Sequence, residues 1–486
     1  MHPSIESYLK SASITLFKIL ICCLFISQTS IIQGVLIYLL FDQTIHWYLE
    51  KYLNIIKVQE GEDNIFYRAN LMTVYHVITK TKIKDLNSIK MQIIRNTQGI
   101  PEMRSKLVKV FNNFYYIKLS DEEFEQHLDR AISQIPEDFE NEQALIDYIA
   151  NHQIRDLPRE SIQYRVMVKQ DFNSNQSAVV FAFYHGLTDG VGFLNLLCAL
   201  QDEFDSKNLP FVRQRSLNES IRRYITCIFG IFIYLKNQPQ KYQDSQLCQI
   251  VMSNKPKITI SKDMRVDQLK QNICRRFGCS INDLLTAASI IAMRDYCLAN
   301  NITDHSLFQG MIAVNQRPSV LKKQDIRLYN NLCASQYKIN FANLLSSKSM
   351  NLSFDQQFKE ALSLVKDQFY ALKTQDTGLS EIIALKIIAY FLPDIVIEKM
   401  IDQSLIPVRK AWSNLNGSPK PLIIGDAYSD KMMFSSYADL IDNMIFNSLS
   451  HNGYLRMSLG TQYSNLDSKS FMVCFDTIID KLSSSN

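Results

Sequence analysis

The stretch AVVFAFYHGLTDGVG, residues 178–192, runs seven uncharged, mostly β-favouring residues straight into His185, then sets Asp189 four positions on among Gly186, Gly190 and Gly192. An apolar run of this length that ends on turn residues reads as a buried strand, and the apolar VGFLNLLCAL after it reads as a helix. The glycines permit a tight turn between the two. A strand–turn–helix unit of this kind commits the chain to a layered α/β or α+β architecture, in which strand ends carry the chemistry.

An imidazole at that position, with an ordinary pKa near 6.5, accepts a proton from a hydroxyl at neutral pH if one ring nitrogen is neutral and accessible. His185 is therefore a candidate general base. Asp189 either orients the ring as in a triad or pairs with an arginine and braces the turn. A core histidine satisfied by backbone carbonyls, with Asp189-Gly190 as turn residues, is the alternative that the motif leaves open. Histidine-x3-aspartate alone carries little weight: with eight histidines, roughly 0.4 chance matches are expected. His152 and Asp156 form a second match, in a charged stretch with no strand before it and no glycine after it, and read as solvated residues.

The rest of the 486-residue chain, 47% hydrophobic and 21% charged, suffices for a large core in two domains or one two-lobed domain. A net charge of +4 with no basic stripe excludes a nucleic-acid partner. The ten cysteines, including adjacent Cys22 and Cys23 and the isolated pair Cys274 and Cys279, spell neither a disulfide framework nor a zinc site. Reduced thiols facing the cytosol are expected, and no metal.

Residues 19–41 hold no charge over 23 positions, long enough to cross a bilayer. Polar residues 27–30 and then Gln33-Gly34 interrupt the run, so a re-entrant hairpin competes with a single tilted span, and a buried core helix is a third arrangement. No small-residue cleavage pattern supports a signal peptide, and the flanking lysines balance, leaving orientation open. Residues 224–235, apolar and fenced by Arg222-Arg223 and Lys236, suit either a headgroup layer or a core helix. Residues 66–79 read as a further strand, and an apolar stripe from Phe354 through Phe358, Ala361, Leu362, Val365 and Phe369 to Leu372 as a helix. The polar, glutamine-rich residues 236–249 read as a linker. The expected organisation is a membrane segment over 1–57, a lobe over 58–235 and a second lobe over 250–486.

The motif around His185 resembles the His-His-x3-Asp-Gly signature of the CoA-dependent, chloramphenicol-acetyltransferase-like acyltransferases, and the chain as a whole resembles their wax ester synthase/diacylglycerol acyltransferase branch. Residues 101–116 (PEMRSKLVKVFNNFYY) look like that family's proline-x-apolar-arginine segment. Residues 280–296 are similar to its asparagine-aspartate helix, AVNQRP at 313–318 to its valine-asparagine-x-arginine strand, and WSNLNGSPKPLIIGD at 412–426 to its serine-asparagine-x-x-glycine segment. Departures are Tyr184 in place of the first histidine, Ser161-Ile-Gln-Tyr164 in place of proline-leucine-tryptophan, and Asn416 in place of a proline. They bear on acyl-chain and acceptor preference.

The resemblance implies two lobes of mixed sheet flanked by helices, with an active-site tunnel between them. It implies acyl transfer from acyl-CoA, as co-substrate with no bound cofactor, to a long-chain alcohol or diacylglycerol, with His185 as base and Asp189 beside it. A membrane-associated enzyme follows, expected at the endoplasmic reticulum with its lobes on the cytosolic side, where CoA thioesters are. A hairpin suits that topology. Arg317 is placed to reach either a carboxylate such as Asp189 or a CoA phosphate, and Ser413 and Asn414 either support an oxyanion or form a turn. Ser280 with Asp283 reads as a capping box, which gives Asn282 and Asp283 a structural role. Acyltransfer to a sterol or small alcohol, and a non-catalytic lipid-binding protein, are the competing readings.

Overall fold

The computed structural model describes residues 33, 40–41, 44–45, 47–52, 55–58, 62–68, 70–110, 113–152, 157–210, 212, 216–219, 257–303, 307–375, 410–437, 444–461 and 466–484. Segments 224–235 and 236–249, and all of 19–41 except Gln33, Leu40 and Phe41, lie outside them. Among the described residues no helix is long and apolar enough to cross a membrane.

In chain order the strands are β1 (Ile55–Lys57), β2 (Met72–Thr79), β3 (Ser105–Val110), β4 (Asn113–Lys118), β5 (Ile132–Gln134), β6 (Tyr164–Lys169), β7 (Ala178–Tyr184), β8 (Lys257–Ile260), β9 (Met264–Arg265), β10 (Leu307–Asn315), β11 (Leu332–Asn340), β12 (Lys410–Asn416), β13 (Ile423–Ile424), β14 (Ala427–Tyr437), β15 (Met444–His451) and β16 (Tyr454–Thr461). The longer helices include α1 (Glu62–Arg68), α2 (Leu86–Asn96), α3 (Asp121–Ala131), α4 (Glu142–His152), α5 (Gly190–Ala199), α6 (Ile281–Ala299), α7 (Phe354–Gln375) and α8 (Ser468–Ser484).

One sheet has the order β13-β14-β2-β7-β6-β5, the second the order β11-β10-β12-β15-β16-β8 with β9 also on β16, and a small one the order β1-β4-β3. Every residue of β2 and β7 is buried. Such strands sit at the centre of a sheet covered on both faces, which is why they read as continuous apolar runs. They pair antiparallel from Met72↔Tyr184 to Ile78↔Ala178. On the other side of β2 lies β14, from the second half of the chain, paired antiparallel from Ser429↔Thr79 to Tyr437↔Met72. The lobes therefore do not follow the chain division at 250: the second half supplies two strands of the first lobe's sheet. Tyr75 of β2 stands among Phe183, Phe193 and Phe434, with ring centroids 6.1, 4.3 and 5.3 Å away, and so binds β2, β7, α5 and β14 into one core.

The second lobe has its own core, in which α6 packs against α7 and α8. The capping box expected at Ser280 is present: its side chain accepts from the Asp283 N–H, and the Asp283 carboxylate accepts from the Ser280 N–H. The apolar stripe on α7 buries Phe358, Ala361, Leu362, Val365 and Phe369. Two expectations need correction. Residues 66–79 are not one strand, because Phe66 to Arg68 end α1 and Asn70, at φ 49°, turns the chain before β2 begins. A left-handed asparagine is tolerated there and breaks the run. The boundary at Lys57 cuts through folded structure, since β1 pairs with β4 and Ile55 and Leu49 pack on Tyr115.

A charged seam ties the lobes together away from His185. Arg456 of β16 donates to both oxygens of Glu142 on α4 at 2.6 and 2.7 Å and to Asp263 at 2.5 Å, and Asp263 also accepts from Lys431 of β14. His76 Nδ1 of β2 lies 3.2 Å from Glu142. Burial alone would raise the Glu142 carboxyl, but His76 and Arg456 overcome it and hold the group well below the usual carboxylate range. Arg456→Met leaves two carboxylates partly buried without their partner and is expected to cost about 3 kcal/mol of unfolding free energy. Denaturant titration beside Arg456→Met/Glu142→Gln, which should recover part of that loss, checks it. A loss below about 1 kcal/mol would assign the seam to the category of solvated surface pairs.

Candidate active site

The turn after β7 is built by contacts that leave no freedom to its glycines. A Cβ on Gly186 would run into the ring of Tyr67 on α1, and one on Gly190 would meet Leu415 Cδ1 of β12 at 2.5 Å. Tyr75 Oη donates to Gly190 O at 3.0 Å, so the buried aromatic core also holds the start of α5.

His185 is fixed through its backbone. Its N–H donates to Leu71 O at 2.7 Å, and its carbonyl accepts from Asn330 Nδ2 at 2.7 Å. The residue is half-buried, its Nδ1 is buried without a hydrogen-bond partner, and Phe66 covers the ring at a centroid separation of 4.4 Å. Burial lowers its pKa below the ordinary histidine value, with the negative charge of Asp189 pulling the other way and losing. Neutral imidazole is thus the resting form at physiological pH.

Asp189 is the N-cap of α5. Its Oδ1 accepts from Gly192 N at 2.7 Å and from Arg317 Nε at 2.9 Å, and its Oδ2 from Arg317 Nε at 2.9 Å and Asn331 N at 2.8 Å. Both oxygens are spent on the turn and on the second lobe. Of the two roles open to Asp189 in the sequence, the geometry displays the brace. Arg317 resolves in the same way. Its Nη2 donates to Thr188 Oγ1 at 3.2 Å and to Tyr329 O, its Nη1 to Arg327 O at 3.3 Å, and its guanidinium lies 4.3 Å from the Tyr329 ring centroid. With all three nitrogens engaged and the side chain buried, a carboxylate rather than a CoA phosphate is what this arginine holds.

Ser413 and Asn414 point apart, as adjacent residues of a strand must. Trp412 Nε1 and Asn414 Nδ2 reach Asn282 Oδ1 at 3.3 and 3.4 Å, and Asn414 Oδ1 accepts from Ser448 at 2.9 Å. That face of β12 belongs to the second lobe, so the asparagine amide is committed there. Ser413, half-buried, shares the opposite face with Leu415, which meets Gly190. Of the decoy pair, His152 ends α4 and Asp156 lies outside the described residues. Sequence reasoning missed Asp63 and Asn330: Asp63 Oδ1 accepts from both Asn330 N and Nδ2 at 2.6 Å, beside His185. The only signal was polar character in an otherwise apolar YNNLC run.

Neither family models nor curated proteins give a sequence match to the chain. Solved structures do match its fold. A wax ester synthase/diacylglycerol acyltransferase from Marinobacter aquaeolei VT8 is 13% identical with a TM-score of 0.55, over 87% of this chain and 98% of that one. The trichothecene 15-O-acetyltransferase of Fusarium sporotrichioides is 11% identical with a TM-score of 0.60, over 87% and 95%. The first condensation domain of the calcium-dependent antibiotic synthetase is 11% identical with a TM-score of 0.56, over 88% and 97%. At these identities the likeness establishes the two-lobed fold that these enzymes share.

Asp189→Asn keeps the cap oxygen but leaves the Arg317 guanidinium buried without a counter-charge. Melting temperature and turnover are expected to fall together, with a stability loss of about 3–5 kcal/mol. Calorimetry alongside single-turnover kinetics checks this. An unchanged melting temperature with turnover reduced severely would restore a direct role at the imidazole.

Proposed function

We propose that the chain is an acyltransferase that moves a fatty acyl group from acyl-CoA to a lipid alcohol, a long-chain alcohol or diacylglycerol, forming a wax ester or triacylglycerol. The observation that carries this reading is the neutral, half-buried imidazole of His185 at the end of a fully buried strand, at the seam between two lobes of the fold shared with the wax ester synthase/diacylglycerol acyltransferase above.

In this reading His185 takes the proton of the acceptor hydroxyl as its oxygen attacks the thioester carbonyl. The tetrahedral oxyanion collapses with loss of CoA thiolate, which takes the proton from the imidazolium. The histidine makes the alcohol itself nucleophilic, so no covalent enzyme intermediate is required. Ser413 presents a hydroxyl on the face of β12 turned toward the motif, and serves as the oxyanion donor. His185→Ala is expected to lower acyl transfer from labelled acyl-CoA by about 10²–10⁴-fold while the protein remains folded, and His152→Ala to leave it near wild type. Because the base works unprotonated and burial depresses its pKa, the acid limb of kcat/KM should fall below pH ~6.5. A panel of fatty, sterol and small alcohols identifies the acceptor. Full turnover by His185→Ala sinks the mechanism, and absence of transfer to every alcohol favours a lipid-binding protein.

The acceptor lipid dissolves in a bilayer, which gives the uncharged segment 19–41 its purpose as an anchor, with the lobes on the cytosolic side of the endoplasmic reticulum. Immediately after it, Trp47, Tyr48 and Tyr52 are more than half exposed, and Lys51 Nζ lies 4.7 Å from the Trp47 ring centroid. Exposed aromatics with a basic partner at the end of an apolar segment suit the headgroup level of a membrane. Because β1 is part of the fold, the informative truncation begins at Asp42. That chain should partition less to vesicles, keep activity on a water-soluble alcohol and lose it on a bilayer-dissolved one. Equal activity on both would remove the substrate-delivery role.

A further inference from the structure

We propose that Cys274 and Cys279 form a dithiol site that hydrogen peroxide converts reversibly into a disulfide. The sequence sets the two cysteines four residues apart with Gly278 between them, and the fold turns that spacing into contact. Helical residues 266–277 end where Gly278 adopts φ 57°, and the Cys279 N–H donates back to Cys274 O at 3.0 Å. A left-handed residue followed by this six-to-one hydrogen bond is a Schellman turn, which sets the side chains at the two ends of that bond against each other. Here both are thiols. Lys366 of α7 holds the turn from outside, its Nζ donating to Gly278 O at 2.7 Å and to Phe277 O at 3.5 Å. Both cysteines pack on the core of the second lobe, Cys274 buried and Cys279 half-buried, so a small oxidant reaches the pair from the Cys279 side. Neither belongs to the site around His185, and the acyl-transfer reading is not needed here.

Of the two sulfurs, Cys274 is the one poised to react. A hydrogen bond between the thiols is the largest influence on both: the Cys279 S–H donates to the Cys274 sulfur, which holds Cys274 below the ordinary thiol value and raises Cys279. Lys270 adds to the effect on Cys274, while burial and Asp283 oppose it. Elsewhere burial works unopposed by such a partner, pushing the Cys198 thiol up to about 12 and raising Cys474. Thiolate character together with access selects the cysteine that oxidises first. The Cys274 thiolate attacks one oxygen of hydrogen peroxide, the O–O bond breaks, and the departing hydroxide takes the Cys279 proton, leaving water and a sulfenic acid. The Cys279 thiolate then attacks the Cys274 sulfur; the S–S bond forms, the S–O bond breaks, and the hydroxide released takes a proton from solvent as a second water. Two thiols have given two electrons to one peroxide. The neighbouring thiol thereby keeps Cys274 from the irreversible sulfinic and sulfonic acids.

The test is peptide mapping of the reduced full-length protein after stepwise exposure to hydrogen peroxide, with alkylation of the remaining thiols. Arg275 and Arg276 lie between the two cysteines, so trypsin separates residues 271–275 from 277–294, and the disulfide is seen as a linked pair of peptides that dithiothreitol parts. That pair should appear at a peroxide dose about tenfold below the one that consumes Cys198 or Cys474. Cys279→Ser should give no linked pair; its Cys274 should be trapped by dimedone as the sulfenic acid and, at higher dose, gain the two oxygens of a sulfinic acid that dithiothreitol does not remove. In Cys274→Ser, Cys279 should resist the same dose. The wild-type map decides by itself if either variant fails to fold. Absence of the linked pair at doses that already oxidise Cys198 or Cys474, or a sulfenic acid that forms on Cys279 in preference to Cys274, overturns the proposal.

Discussion

The buried pair between Asp189 and Arg317 is the contact on which the site depends. One carboxylate caps α5, closes the turn after β7, and receives the guanidinium and a backbone N–H from the loops following β10 and preceding β11. A buried ion pair is weak as a source of net stability, because desolvating both charges costs about as much as their attraction returns. Its value lies in the alternatives it forbids. Any sliding of the second lobe against the turn strands a guanidinium and a carboxylate in an apolar environment, so the position of His185 relative to the residues of β10 to β12 is tightly specified.

The same pair governs the charge felt by the imidazole. An unpaired aspartate four residues away would favour imidazolium, which cannot act as a base. Paired with Arg317, Asp189 exerts a smaller pull, and burial beneath Phe66 dominates, so the pKa moves down. The aromatic surroundings therefore set the position and charge state of the ring: Tyr67 excludes any side chain at position 186, Tyr75 holds Gly190 O, and Phe66 desolvates the ring. Had Asp189 been solvent-facing and unpaired, the same motif would favour the protonated form.

Local features were legible in the sequence and long-range ones were not. The strand, turn and helix of 178–199, the capping box at Ser280 and the buried stripe of α7 depend on neighbours within a few positions, and periodicity reports them. The pairing of β14 with β2 joins residues 350 or more apart in sequence, and nothing in either strand names its partner. Arg317 could be singled out as a ligand of something anionic, yet choosing Asp189 over a phosphate required knowing that Thr188, Tyr329 and Arg327 take its other hydrogens. Ser413 and Asn414 look alike as a polar dipeptide, and only the pleat of β12 sends the amide to Asn282 and the hydroxyl to the other face. Glu142, Arg456 and Asp263 lie far apart in a chain rich in charges, so their convergence had no local signature.

The lobes are held together at separate places by different forces: a shared sheet through β14, the Arg317–Asp189 pair at the motif, and the Arg456 seam where α4 meets β16. Hinge opening about any one of these would break ladder hydrogen bonds or expose a buried charge at the others. In the acyl-transfer reading proposed above, a seam tied in this way does not assemble its base on substrate closure. The imidazole, the turn and the facing strand are aligned before any ligand arrives, and the cost of that alignment is met during folding, which is the condition under which fixed dipoles and a neutral base act without reorganisation at the moment of reaction.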